Sequence, residues 1–294
     1  MLTRPLGKTG LEVSVVGLGT GRLGDPDLSA AQAEELLAGA LDAGVTLIDT
    51  ARSYGLAEAR IGEYLGHRRD EFVLTTKGGY GADLVDDWTH AAIVRGIERA
   101  LSTLRTEAID VFFLHSCPRD TALRDDILEA LDRARETGKV RFLGYSGEGD
   151  ALGACVRSAR FDVVQCSVSL FDQRNLDAII PSAEGRGLGV IAKRPLANAV
   201  WREHGRAWPE GEDMDYWQRM QAMQLRTPGD GWLDLAVRWS AFAPGVSSAI
   251  VGTSRLDHLE DAVVAAERGD LPADLRSQIS TAFAAKDRGW QGRV

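Results

Sequence analysis

Four side chains have the types and positions to do chemistry together: Asp49, Tyr54, Lys77 and His115. Asp49 ends the apolar run VTLID, and Tyr54 follows five residues later in ARSYG. Lys77 ends EFVLTTK and His115 ends IDVFFLH. Hydride reduction of a ketone or aldehyde leaves an alkoxide, so a proton donor must stand within hydrogen-bond reach of that oxygen. A phenol is a reluctant donor at neutral pH, and an ammonium beside it stabilises the phenolate left behind. Lys77 fits that role, Asp49 would keep Lys77 charged and in place, and a neutral His115 could donate to the carbonyl oxygen and orient it. Each residue alone has a plainer explanation: Asp49 as a cap or turn residue, Tyr54 as packing, His115 as a satisfied core histidine. Lys77 at the end of a buried strand is harder to explain that way, because lysine is rarely buried unpaired. When polar residues end successive apolar strands of a β/α repeat, they converge on one mouth of a parallel barrel.

The elements that would position them follow from periodicity. Short, nearly continuous apolar or β-branched runs at 15–19, 46–50, 72–77, 109–115, 140–146, 163–168, 189–193 and 249–252 are expected to be buried strands. Amphipathic runs lie between them. Ser29 is placed to cap the first helix and Gly44 to stop it. TALRDDILEALDRARETGK has apolar positions at Leu123, Ile127, Leu128, Leu131 and Ala134 and ends at Gly138. RNLDAIIPSAEGRGLG, WLDLAVRWSAF and DHLEDAVVAAERG continue the alternation, and PADLRSQISTAFAAK adds a terminal helix. Eight such units without a break in composition predict an α/β fold, a (β/α)8 TIM barrel, occupying residues 1–294 as a single domain. Residues 2–14 suggest a hairpin turning at Lys8-Thr9-Gly10, which would plug the floor opposite the active mouth. The stretch 197–231 holds Trp201, Trp208 and Trp217. It is either a specificity loop, a short helix packed on the barrel, or both.

Composition narrows the class. The chain has 294 residues, 44% hydrophobic and 26% charged, as an ordinary soluble protein has. A net charge of −9 argues against nonspecific nucleic-acid binding and against an anionic membrane surface. No stretch of about 20 apolar residues is present to span a bilayer. The N-terminus lacks the apolar core of a signal peptide. The three cysteines, Cys117, Cys155 and Cys166, form no CxxC pair, which argues against a disulfide framework or structural zinc and fits a reducing, cytoplasmic setting.

The chain resembles the aldo-keto reductase superfamily over nearly its whole length. The segments that carry the resemblance are GLGTGRLG, AGVTLIDTARSYGLAEARIGEYL, LTTKGG, IDVFFLHS, GKVRFLGYS and IVGTS. Asp49, Tyr54, Lys77 and His115 match the family's catalytic tetrad one for one. The resemblance implies a nicotinamide cofactor bound extended without a Rossmann domain, and carbonyl reduction with Tyr54 as general acid. Gly19-Thr20-Gly21-Arg22-Leu23-Gly24 formally matches GxGxxG, but Asp25-Pro26-Asp27 follows where a Rossmann fold opens a helix. Gly19 and Thr20 suit a tight loop over substrate and nicotinamide instead.

By the same resemblance Ser146 and Gln165 hold the nicotinamide carboxamide. Lys193, Arg194, Pro195 and Leu196 follow the seventh strand along the cofactor. Gly252, Thr253, Ser254, Arg255, His258 and Asp261 meet the adenine end, with the helix amides beyond Arg255 turned to phosphate. The chain departs from the family pattern at Gly147, where an Asn is usual. It departs again at Lys193, which takes an aromatic's place, and at Arg194, His258 and Ala262. Ser254 and Arg255 favour NADPH over NADH. Leu23, Tyr80, Trp88 and Trp201 are candidates for the substrate wall, with surface packing as the alternative for the two tryptophans. The expectation is reversible reduction of a small-molecule aldehyde or ketone by NADPH. The alternative is an NADP(H)-binding regulatory or redox-sensing subunit with little turnover. A dehydrogenase running in the oxidative direction would use the same residues.

Overall fold

The structure, a computed structural model, describes residues 1–202, 211–227 and 231–292. Trp208 therefore lies outside the described residues. The chain opens with an antiparallel hairpin, β1 (Thr3–Pro5) and β2 (Glu12–Ser14), paired in the register Thr3↔Ser14. The barrel strands are β3 (Val16–Gly19), β4 (Leu47–Asp49), β5 (Val73–Gly78), β6 (Ile109–His115), β7 (Val140–Ser146), β8 (Val163–Ser167), β9 (Gly189–Lys193) and β10 (Ser248–Gly252). They close in sequence order, with β10 returning to β3, and every neighbouring pair is parallel.

Helices cover the outside. In chain order they are α1 (Ala30–Asp42), α2 (Ala57–Leu65), α3 (His90–Thr103), α4 (Arg119–Ala122), α5 (Asp125–Glu136), α6 (Gly149–Ser158), α7 (Arg174–Ala178), α8 (Ile180–Gly185), α9 (Glu212–Met223), α10 (Gly231–Ala241), α11 (Leu256–Glu267) and α12 (Ala273–Lys286). Ser29 caps α1 in a reciprocal box with Gln32, and α1 buries Ala33, Leu36, Leu37, Ala40 and Leu41 against the barrel. Gly44 and Gly138 stand just past the ends of α1 and α5 in the left-handed region, at φ +81 and +76.

Two runs read as single helices are each broken in two. Leu123 and Arg124 separate α4 from α5: Arg124 turns extended, and Asp125 and Asp126 open a new N-terminus where negative charge is favourable. Ile179 separates α7 from α8, because Pro181 sits in the first turn of α8 and cannot continue α7.

A period of two along each strand divides the barrel interior into levels. Leu47, Val73, Val111, Val163, Ile191 and Ile250 lie low, and the hairpin residues Leu6, Leu11 and Val13 pack into them as the expected floor plug. Two or four residues further along the same inward face stand Asp49, Lys77, His115 and Gln165. The helices pack around the outer faces of the strands in the main core. A second cluster under α9, α10 and α12 gathers Tyr216, Trp239, Ile279 and Phe283. No helix among the described residues is long and apolar enough to cross a membrane.

Candidate active site

The mouth at the C-terminal ends of the strands holds a cleft of about 1590 Å³, well above the roughly 300–1,000 Å³ of an ordinary small-ligand pocket. At its base Lys77 is fully buried. Its Nζ donates to Asp49 Oδ2 at 2.6 Å and to the Thr50 carbonyl at 2.8 Å, and lies 5.1 Å from the Tyr54 ring centre. Burial works against the ammonium, but Asp49 and then Tyr54 outweigh it and hold the Lys77 pKa above the ordinary lysine value. Asp49 takes two further donors on Oδ1: Thr75 Oγ1 at 2.7 Å and Gln165 Nε2 at 2.9 Å.

Tyr54 sits in the turn that leads from β4 to α2. Its N–H donates to the Ala51 carbonyl at 3.0 Å, and its carbonyl accepts from Ala57 at 2.9 Å. The His115 ring meets the Tyr54 ring edge-on at 6.0 Å. Burial pushes the His115 imidazole down to about 3, helped by the charges of Lys77 and Lys193, so the ring is neutral at ordinary pH. Tyr80 stacks on His115 at 5.5 Å, and its hydroxyl lies 3.0 Å from His115 Nδ1.

Ser146 Oγ donates to Gln165 Oε1 at 3.0 Å, which joins the hydroxyl and amide pair through Gln165 to Asp49. Both line the cleft. Gly19 and Gly252 face each other across β3 and β10 and also line it. Their inward positions carry no side chain, so the wall there is bare backbone. Thr20 is different: it is fully buried, and both its N–H and its hydroxyl donate to the Asp49 carbonyl at 2.9 Å. It holds the end of β4 rather than facing the cleft.

Lys193, Arg194, Pro195 and Leu196 line the next wall. Lys193 pairs with Glu148 Oε1 at 3.4 Å. Burial lowers the Lys193 pKa, Glu148 opposes that, and Arg194 adds to it. Arg194 holds a positive φ of 56. Gly147, where the family has Asn, has the Tyr145 ring against it: a Cβ there would meet that ring at 2.6 Å.

At the far end Gly252, Thr253, Ser254, Arg255 and His258 line the cleft, while Asp261 on α11 is exposed and does not. Arg255 forms a fork with Asp257, its Nε donating to Oδ1 at 2.9 Å, at the N-terminus of α11. Burial lowers the His258 pKa, and Arg202 adds to that.

Of the candidates for the substrate wall, Tyr80 lines the cleft, and Leu23, Trp88 and Trp201 do not. Leu23 is a fully buried core residue. Trp88 lies behind Tyr80, ring centres 5.6 Å apart. Trp201 stacks on Trp232 at 5.9 Å. The sequence reading missed Glu148, Thr75 and Ser53. A signal existed for the first two: Glu148 stands two residues past Ser146 and Thr75 two before Lys77, so strand period aims both inward. Trp217, on the expected short helix α9, also lines the cleft. Cys117, Cys155 and Cys166 are free and buried, and burial pushes the Cys117 thiol up to about 12.

Comparison with known proteins agrees with this fold. The family model described as "Aldo/keto reductase family" matches residues 15–282. The uncharacterized oxidoreductase YqkF of Bacillus subtilis is 26% identical over 90% of this chain and 91% of its own. L-galactose dehydrogenase of Arabidopsis thaliana is 27% identical over 89% of this chain and 87% of its own. The holo form of the aldo-keto reductase AKR11C1 from Bacillus halodurans superposes with a TM-score of 0.84, 26% identity, and 96% of each chain covered. A closed parallel barrel with a floor hairpin, matched over this length, means that the chain belongs to the aldo/keto reductase family of NAD(P)H-dependent oxidoreductases, whose chemistry is carbonyl reduction.

Proposed function

We propose that the protein reduces a small aldehyde or ketone to the alcohol, reversibly, and prefers NADPH to NADH. The observation that carries this is the buried Lys77–Asp49 pair beneath Tyr54, beside a His115 held neutral. Tyr54 gives its proton to the developing alkoxide. Lys77 stabilises the phenolate that remains, and Asp49 keeps the ammonium charged and oriented. His115, neutral, donates a hydrogen bond to the carbonyl oxygen and sets its direction.

The residues fit an extended dinucleotide. Ser146 and Gln165 present a buried hydroxyl and amide suited to a carboxamide, and Gly19 and Gly252 leave bare wall for a flat ring. Arg194, Thr253, Ser254, Arg255 and the first amides of α11 supply donors and positive charge for phosphates. When bound, the nicotinamide supplies the hydride. Residues 1–294 act as one barrel unit, and three buried free thiols suit a reducing compartment such as the cytoplasm.

Tyr54→Phe tests the assignment. It should lower NADPH oxidation on a panel of generic aldehydes by about 10²–10⁴-fold, with NADPH binding, read by tryptophan fluorescence, unchanged. A variant that turns over like the parent removes Tyr54 from the role of acid.

A further inference from the structure

Tyr80 stands in a position that carbonyl chemistry alone does not require. Its ring lies against His115 at 26° from parallel, with its hydroxyl 3.0 Å from Nδ1. The same hydroxyl is 3.2 Å from Ser53 Oγ, and Ser53 is exposed at the rim of the cleft. Behind Tyr80 the Trp88 indole closes off the other side. The support is built into the backbone: Trp88 N–H donates to the Gly79 carbonyl at 2.6 Å, and a Cβ at Gly79, whose φ is +124, would lie 2.0 Å from the indole. The Arg52 guanidinium reaches the Tyr80 carbonyl at 3.4 Å.

A neutral imidazole has one N–H, and its two tautomers offer a ligand opposite things. With the proton on Nε2 the ring donates there; with the proton on Nδ1, Nε2 only accepts. Tyr80 has one hydroxyl proton and two neighbours, so it donates to one and accepts from the other. A phenol is the more acidic donor, and an unprotonated imidazole nitrogen the more basic acceptor. Ser53 is a hydroxyl rotor that can turn to donate. Nδ1 is occupied by Tyr80, so Nε2 is the nitrogen left for a ligand in the cleft that His115 lines.

We propose that Tyr80 is the positioning residue of His115: it accepts from Ser53, donates to Nδ1, and fixes the ring with its proton on Nε2. A carbonyl oxygen then always meets a donor. This rests on His115 as the group that orients the carbonyl.

The test reads the tautomer directly. Nitrogen NMR of 15N-histidine-labelled protein, with the His115 signals assigned through His115→Asn, should show an unprotonated Nδ1 and a protonated Nε2. Tyr80→Phe keeps the ring and removes the hydroxyl. It should mix the tautomers and lower kcat by about tenfold with KM little changed. A wild-type spectrum with the proton on Nδ1 overturns the proposal, even if the variant does not fold. So does Tyr80→Phe with both tautomer and kcat unaltered. The spectrum needs no turnover, so its outcome is separate from that of Tyr54→Phe, which tests the reaction itself.

Discussion

Gln165 and Asp49, 116 residues apart in sequence, are joined across the barrel by a hydrogen bond of 2.9 Å from Nε2 to Oδ1. Asp49 thereby gathers donors from β5 and β8 at once, since Lys77 and Thr75 reach it from β5. One carboxylate ties the proposed proton-transfer group to the pair, Gln165 and Ser146, that faces the cleft.

Removing that carboxylate strands a buried cation. Asp49→Asn is expected to cost about 3–5 kcal/mol in urea unfolding, the usual penalty for breaking a buried pair from one side. Asp49→Asn combined with Lys77→Met removes both charges and should recover most of that loss, without recovering NADPH oxidation. Recovery of turnover in the double variant would contradict the role given to Lys77.

His115 makes stability depend on acid. In the unfolded chain the imidazole takes up its proton near 6.5; in the folded one it resists until about 3. Between those values the unfolded state binds the extra proton, so stability falls as pH falls through that window. From pH 7 to pH 5 the loss assigned to His115 is about 2 kcal/mol. It is measured as the difference in urea unfolding between the parent and His115→Asn at each pH. Parallel pH profiles would show that the ring is protonated alike in both states.

Gly79→Ala should be among the costliest small substitutions near the mouth. The added Cβ would meet the Trp88 indole at 2.0 Å in a backbone conformation at φ +124. A loss of about 1–3 kcal/mol from the strained backbone alone is expected in thermal or urea unfolding. Near-ultraviolet circular dichroism should report a displaced tryptophan.

Arg255 is held in a fork by Asp257 at the entrance to α11. If it grips a 2′-phosphate, Arg255→Ala should raise the Kd for NADPH by about tenfold or more, the worth of one charge-assisted bond, and leave NADH nearly unchanged. Asp257→Asn frees the guanidinium and should tighten NADPH, most at low salt. Equal effects on both cofactors in titration calorimetry would take discrimination away from this corner.

The barrel and the core of the site were legible because both depend on strand period. Each barrel strand is short and apolar, and in β4, β5, β6 and β7 the final inward residue is polar: Asp49, Lys77, His115 and Ser146. The floor plug was legible for a similar reason, as Leu6, Leu11 and Val13 sit in a hairpin pattern with nowhere else to go. What failed to show was whatever two distant segments decide between them. Trp88 looked like a pocket wall, but Gly79 draws it behind Tyr80. Thr20 looked like a cofactor contact, but the Asp49 carbonyl claims it. Lys193 looked like a lone oddity, but Glu148 answers it from β7's end. The breaks at Leu123–Arg124 and Ile179 were written locally, in Asp125-Asp126 and Pro181, and a stricter reading of helix starts would have found them.

The plug has a further consequence for traffic. Because Leu6, Leu11 and Val13 fill the lower end of the barrel, traffic with the cleft runs through the mouth at the C-terminal ends of the strands. Ser146 and Gln165 lie deep in it, nearly sealed from solvent, while Tyr80 and Tyr54 stand nearer the rim. A hairpin on the far side of the molecule thus leaves the mouth as the way to Ser146 and Gln165.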